Sequence, residues 1–342
     1  MKIVSVMAGT CAVAAPETRC GFVALTDNHG VTGAGYGATD VQGLAREMAD
    51  TLLLGEDPRR TVMLWQRLGE ARNKGAAPDS RSLHAAAVLD MALWDLVARS
   101  RNEPLWKTLG SGRPKANACL VTDSAGLAES SKRVTEFGFR AANLQAGSGA
   151  EDLLSAMAVL HESLSHNTLA PELLLSADEN WTPEQAIAAV SRLETRFDLT
   201  GIEAPRRGWQ AEDAGRVSEM VFAAVAVHAG QPSAQGLFRY LDHTGLDILV
   251  IDPALCGISG ALQLGDAAYG YELPVILAPS PGQVAVHVAA ALPTLMCMEV
   301  SHKGLPFGAG ASGIRVEGGW VRADDSPGHG LDLERVAEGQ GR

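Results

Sequence analysis

Several short apolar segments of this chain end on polar residues that can handle protons or hold oxygen-rich ligands. Asn143-Leu144-Gln145, Ser176-Ala177-Asp178, Glu203, Gln231, Asp252 and Glu299 all stand at such ends. A carboxylate such as Asp178 or Asp252 can serve as a general base, because burial raises its pKa towards neutrality. Asn143 and Gln145 can hydrogen-bond a ligand carboxylate but cannot take its proton. His302 and Lys303 follow the last segment and add an imidazole and an amine as further base candidates. As a set, these side chains suit a small polyol or hydroxy-acid.

The elements that must position them follow from the spacing. Segment ends at Gln145, Ala177, Glu203, Gln231, Asp252, Ala278 and Glu299 recur every 21–32 residues. One strand, one helix and two short loops fill such an interval, the mark of repeated βα units. A strand near Ala116–Val121 opens the series and brings the count to eight, enough to close a barrel whose working face gathers the carboxyl ends of all strands. Before it the rhythm differs. Ile3–Val6 and Gly21–Thr26 are β-like, Asp27-Asn28-His29-Gly30 is a turn, and Val31–Gly37 returns as a hairpin partner. Helical periodicity follows over Gln42–Leu54, Thr61–Asn73 and Ser82–Ser100, an α+β pattern.

Composition narrows the partners. The 342 residues carry a net charge of −12, which excludes a nucleic-acid partner that would need a basic face. Cys11, Cys20, Cys119, Cys256 and Cys297 have neither zinc-finger nor CxxC spacing, and their odd number makes a poor disulfide framework; reduced thiols in a cytoplasmic protein are expected. The first fifteen residues, broken by Ser5, Gly9 and Thr10, form too weak an apolar run for a secretory signal. No stretch has the ~20 apolar residues of a membrane helix. Gly33-Ala34-Gly35-Tyr36-Gly37-Ala38 fits a relaxed dinucleotide fingerprint, but helical sequence stands where a second parallel strand should precede Asp57. Hairpin glycines explain the stretch, and no nucleotide cofactor is expected.

Six motifs in order resemble the mandelate racemase/muconate lactonizing group of the enolase superfamily. Ala87-Val88-Leu89-Asp90-Met91-Ala92-Leu93-Trp94-Asp95-Leu96 resembles that group's helix at the junction of its two domains, and Pro104–Gly110 the segment after it. Gly138-Phe139-Arg140 precedes the second barrel strand, and Gly201-Ile202-Glu203-Ala204-Pro205 resembles the fourth. Asp247–Asp252 with Cys256-Gly257-Ile258 resembles the sixth, and Ala289–Pro293 with Glu299 the last turn. The resemblance spans about residues 1–320. It implies an α/β fold, a modified TIM barrel of (β/α)7β type. An α+β capping domain would occupy residues 1–114, the barrel 115–320, and a C-terminal segment packed on the cap or frayed 321–342. It also implies a homo-oligomer, dimer or octamer.

The same resemblance implies Mg²⁺ held by three carboxylates at the ends of strands three to five, stabilising the enediolate left when a base removes the proton beside a substrate carboxylate. This chain changes those contents. The lysine pair of strand two is Asn143 and Gln145. The strand-three aspartate is Ser176, with Asp178 two residues on. Glu203 remains, and the strand-five glutamate is Gln231. Asp252 matches an acid that orients a strand-seven His, but Ala278-Pro279-Ser280-Pro281 lacks that His. The metal set thus reduces to Asp178, Glu203 and Gln231, and Mg²⁺ is expected to be weakly held or absent. Counted from Gln231, parity turns His228 away from the pocket into a packed structural role. His287 reads as core, and Asp90 and Asp95 as structural at the junction. The implied function is a divergent member binding a small hydroxy-acid or sugar-acid at the barrel mouth, with Mg-assisted α-proton abstraction (racemisation, dehydration or cycloisomerisation) altered or lost. The other reading is a catalytically silent homologue acting as a ligand-binding or structural subunit.

Overall fold

Alternation in the first strands serves two cores at once. The computed structural model describes residues 1–13, 18–72, 80–147, 152–205, 209–228, 245–279, 282–301 and 315–330. Strands β1 (Ile3–Val13), β2 (Thr18–Asp27) and β3 (Thr32–Gly37) form an antiparallel sheet in that order. Successive side chains of a strand face opposite ways. On β2, Val23 and Leu25 therefore enter the core of the N-terminal layer, while Phe22 and Ala24 join the large core shared with the barrel. The weak apolar run at the start is β1, paired with β2 from Ile3 to Val13. The turn between β2 and β3 is fixed by Asp27, whose Oδ1 accepts from the backbone N–H of His29 and of Val31, both at 2.9 Å.

Helices α1 (Gln42–Leu52), α2 (Thr61–Arg72), α3 (Ser80–Ser100) and the short α4 (Leu105–Thr108) complete this layer. α3 is the hinge pin of the molecule. Its long apolar run buries most of its surface, with β3 on one side and the barrel on another. The fingerprint-like glycines lie here. A Cβ on Gly35 would come 1.9 Å from the Val88 carbonyl oxygen, so the glycine permits contact between strand and helix backbones. It lies in an antiparallel hairpin, not a βαβ unit.

The barrel strands are β4 (Lys115–Asp123), β5 (Ala141–Gln145), β6 (Glu172–Ser176), β7 (Gly201–Glu203), β8 (Ala224–His228), β9 (Ile248–Ile251), β10 (Val275–Leu277) and β11 (Leu295–Ser301). Neighbours pair in parallel in chain order, and β11 pairs with β4 to close the ring. Runs such as Leu173-Leu174-Leu175 and Ile248–Ile251 suit parallel strands covered on both faces. The crossovers include α5 (Leu127–Phe137), α6 (Leu153–Ser165), α7 (Pro183–Glu194), α8 (Ala211–Ser218), α9 (Pro253–Gly270) and α10 (Gly282–Ala291). Past the ring, β12 (Arg315–Glu317) and β13 (Trp320–Arg322) form a hairpin that adds antiparallel to β4. Among the described residues no helix is long and apolar enough to cross a membrane.

Two buried aspartates of α3 tie the parts together. Asp90 accepts from Ser259 N at 2.7 Å and Ser259 Oγ at 2.6 Å, where α9 kinks at Gly257 (φ +63). A Cβ on Gly257 would sit 2.7 Å from the Asp90 carboxylate, so glycine lets the kink close over it. Trp94 Nε1 donates to the same Ser259 Oγ. Asp95 accepts from Ala34 N on β3, Arg99 Nε on its own helix and His329 N from the C-terminal segment, each at 2.8 Å. His329 in turn donates from Nε2 to the Ala34 carbonyl at 2.6 Å.

Removing the Asp90 carboxylate strands buried donors of Ser259. Asp90→Ala is therefore expected to cost about 2–3 kcal/mol in urea unfolding. Burial pushes the Asp90 carboxyl up to about 7, against the pull of its Ser259 and Ile258 donors. An acid raised in the folded state contributes stability below its ordinary value and loses it as pH rises towards the folded one. The stability difference between wild type and Asp90→Asn should thus shift against the wild type from pH ~4 to pH ~7, measured by denaturant titration across that range.

Candidate active site

The inward face of each barrel strand follows from alternation. Ala141, Leu174, Ala226 and Cys297 pack together inside the ring with Cys119, Ile248, Val250 and Ile276. Two residues further along β5, β6, β8 and β11, the same faces carry Asn143, Ser176, His228 and Glu299. Glu203 ends β7, in register with Ser176 on one side and Ala226 on the other. An apolar floor thus supports a polar layer at the carboxyl ends of the strands, the working end of such barrels.

That layer is one hydrogen-bonded knot. Asn143 is fully buried, and its Nδ2 donates to Glu203 Oε2 at 2.8 Å and to Glu299 Oε1 at 2.7 Å. Carboxylates only accept, so the amide must present its NH₂ to both. Ser176 Oγ lies 2.5 Å from Glu203 Oε2 and 3.0 Å from Asn143 Oδ1. Its single proton belongs to the closer, charge-assisted bond. His228 Nε2 donates to Glu203 Oε1. Burial pushes the Glu203 carboxyl up, but the hydrogen bond from His228 outweighs it, helped by Ser176 and Asn143, and the carboxyl is held below the usual carboxylate range. Glu203 is therefore a fixed anion with both oxygens met by protein donors.

Above the knot opens a cavity of about 220 Å³, lined by Gln145, Ser176, Asp178, Glu179, Glu203, His228 and Glu299 with Ala146, Ala177, Ala204 and Pro205. Its polar groups are mostly acceptors. Asp178 lies past the end of β6 and accepts from Asn180 N at 2.9 Å and Nδ2 at 3.0 Å, so its carboxylate is turned into its own loop at the rim. Gln145 is exposed at the mouth.

The sequence-derived candidates divide accordingly. Asn143, Ser176, Glu203 and Glu299 meet in one cluster, with Gln145 and Asp178 around its opening. Asp252 stands apart from the described cavity lining. It caps α9, its Oδ1 accepting from Ala254 N at 2.9 Å. Gln231, His302 and Lys303 lie outside the described residues. The inference that His228 turns away is corrected: it faces the cavity and binds Glu203. Counting from Gln231 assumed an unbroken strand to residue 231; counting within β8 from the interior Ala224 and Ala226 gives the observed side. His287 is buried and accepts from Trp106 N through Nδ1, and burial holds its pKa at about 3.

Mg²⁺ asks for about six oxygen ligands at roughly 2.0–2.1 Å. Here the lone pairs of Glu203 face an imidazole N–H, a hydroxyl and an amide NH₂, and the positive ends of those dipoles fill the ground a cation would need. No group of three or more His, Cys, Asp or Glu able to hold an ion occurs among the described residues. The described donor set does not fit the ion.

Comparison with known proteins gives these positions a context. Residues 7–110 match the N-terminal domain of mandelate racemase/muconate lactonizing enzymes, and residues 126–337 match the enolase C-terminal domain-like family. A 3,6-anhydro-alpha-L-galactonate cycloisomerase from Streptomyces coelicolor is 29% identical over 331 residues, covering 92% of this chain and 89% of that protein. A D-galactarolactone cycloisomerase from Agrobacterium fabrum is 27% identical over 83% of this chain and 80% of its own. Among solved structures, a Streptomyces coelicolor A3(2) racemase with bound magnesium superposes with a TM-score of 0.81 at 23% identity, covering 98% of this chain and 99% of that one.

The bridging amide generates a test. Asn143→Ala leaves two buried carboxylates facing each other without their shared donor. It is expected to cost about 3–5 kcal/mol, as when one member of a buried charged network is removed. Thermal and urea unfolding of the variant check this.

Proposed function

The chain belongs to the mandelate racemase/muconate lactonizing enzyme family of the enolase superfamily, and from that premise we propose an isomerase- or lyase-type member that takes a sugar lactone or small sugar acid at the barrel mouth. One observation carries the reading: Glu203 binds an inward-facing His228 at the floor of an acceptor-lined cavity. Substrate hydroxyls are donors, and Asp178, Glu179 and Glu299 supply acceptors for them. Gln145 offers an amide donor to a carbonyl oxygen. The two cycloisomerase relatives act, by name, on a sugar acid and a sugar lactone, which suggests the ligand class.

Charge favours the lactone within that class. A carboxylate ligand would enter a cavity already holding several carboxylates, at an electrostatic penalty that low local dielectric enlarges. Enolising a carboxylate also makes a dianion, which calls for a fixed divalent charge. Enolising a neutral lactone makes a monoanion, within reach of hydrogen-bond donors. In this scheme Glu203 positions His228 by holding Nε2–H. Nδ1 is then the nitrogen that takes and returns the α-proton, the division of labour seen wherever a carboxylate fixes a catalytic imidazole. Of the two residues where the resembled lysines would stand, Gln145 at the mouth contributes binding, while buried Asn143 holds Glu203 and Glu299 in place.

The silent reading has one observation in its favour: both Glu203 oxygens are already engaged by the protein. Proton exchange separates the two. Sugar lactones and aldonic acids are incubated with EDTA-treated protein in D₂O and followed by NMR. Solvent deuterium is expected at the lactone α-carbon, slowed about 10²–10⁴-fold in His228→Ala. Ligand-induced stabilisation without exchange selects the silent reading. If no lactone or acid exchanges or raises the melting temperature, the assignment of this mouth as the working site is lost.

A further inference from the structure

The knot around Glu203 has a consequence for ion binding. A carboxylate that ligates a divalent cation turns lone pairs towards the ion. Here Oε2 receives Asn143 Nδ2–H at 2.8 Å and Ser176 Oγ–H at 2.5 Å, and Oε1 receives His228 Nε2–H. The side chains of His228 and Glu203 are 11% and 7% exposed, so water has little room to stand in for a lost contact. An ion settling on Glu203 would break three donor bonds: Asn143 would keep Glu299 and the Ser176 hydroxyl could turn to Asn143 Oδ1, but the Nε2–H of His228 would lose its acceptor, at a cost of about 1–3 kcal/mol for a buried unsatisfied group. The oxygens nearest to Glu203 are already committed: position 176 is a hydroxyl that donates, Glu299 Oε1 accepts from Asn143, and Oδ1 of Asp178 is held by Asn180.

We propose that His228, with Ser176 and Asn143, occupies the place of a divalent cation on Glu203, so that this mouth is closed to Mg²⁺ and Mn²⁺ and is ordered without them. His228 is in this sense a positioning residue, substituting a directional N–H for an ion's charge. The idea builds on the assignment of the barrel mouth as the working site. Its test reads ion binding alone, so a failed ligand screen and a filled ion site remain separate results.

Mn²⁺, a close stand-in for Mg²⁺ with an EPR signal that drops when the ion is bound, reports occupancy directly. The EDTA-treated full chain is expected to leave the Mn²⁺ signal unchanged at millimolar metal. The double variant Ser176→Asp/His228→Ala, which removes the inserted imidazole and returns an oxygen ligand, is expected to bind Mn²⁺ at least about tenfold more tightly than wild type, since affinity follows the number of ligand charges. Circular dichroism establishes that the double variant is folded. The proposal is overturned if wild type binds one equivalent of Mn²⁺ and Glu203→Gln abolishes it. It is equally overturned if a folded double variant gains no affinity, because His228 and Ser176 would then not be what keeps the ion out.

Discussion

A carboxylate buried in a barrel must have its lone pairs met, and much of the site is arranged around meeting those of Glu203. The neighbouring strands each deliver one group at the right height: an amide from β5, a hydroxyl from β6 and an imidazole from β8. Glu299, across the ring on β11, shares the same amide. Four parallel strands and the ring closure between β11 and β4 must therefore keep their register for one anion to stay hydrogen-bonded. Low dielectric raises the stakes, because an unmatched charge costs several kcal/mol where a matched one costs little. The same closure that hides the knot also fixes the electrostatics of the cavity above it.

The N-terminal layer obeys a related rule at larger scale. α3 holds two aspartates without exposure to water, and each is satisfied only by groups brought from elsewhere in the chain. Asp90 reaches the kinked start of α9, and Asp95 reaches β3 and the C-terminal segment. Polar contacts with such demanding geometry define one relative placement of cap and barrel, whereas apolar packing alone tolerates several.

How much of this the sequence discloses depends on whether local pattern or long-range geometry decides. The strand ends were readable where each βα unit repeats a period: the observed ends at Gln145, Ser176, Glu203, Ile251 and Leu277 fall within a residue of those expected, β11 runs two residues past Glu299, and the expected end at Gln231 lies outside the described residues. The long apolar helix Ser80–Ser100 and the hairpin were readable for the same reason. The side His228 faces was not, since the count began at Gln231, outside the described residues, and not from the interior residues of β8. Asp252 shows a different ambiguity. An acid after a strand and before a proline also makes a helix cap, and its α9 role draws on the same residue type as catalysis. Asp178 shares the parity of Ser176, but parity does not survive the end of β6, where a loop Asn takes the carboxylate. The donors converging on Glu203 were invisible because hydrogen bonds between residues 25 to 60 positions apart leave no periodic trace.

The contact between Asp95 and His329 spans 234 positions. A chain made from its amino terminus exposes α3 long before the segment carrying His329 exists. Until then the aspartate lacks one of its partners, and the cap stays an unfinished surface waiting for late-made sequence. Its final latch is thus set by a segment near the carboxyl end of the described residues, which ties completion of the first domain to completion of the second. Non-local pairings of this sort slow folding, because ring closure must precede the contacts that reward it. Newborn copies would spend that interval with their cap only partly buttressed, a window in which chaperone contact or misassembly competes with maturation.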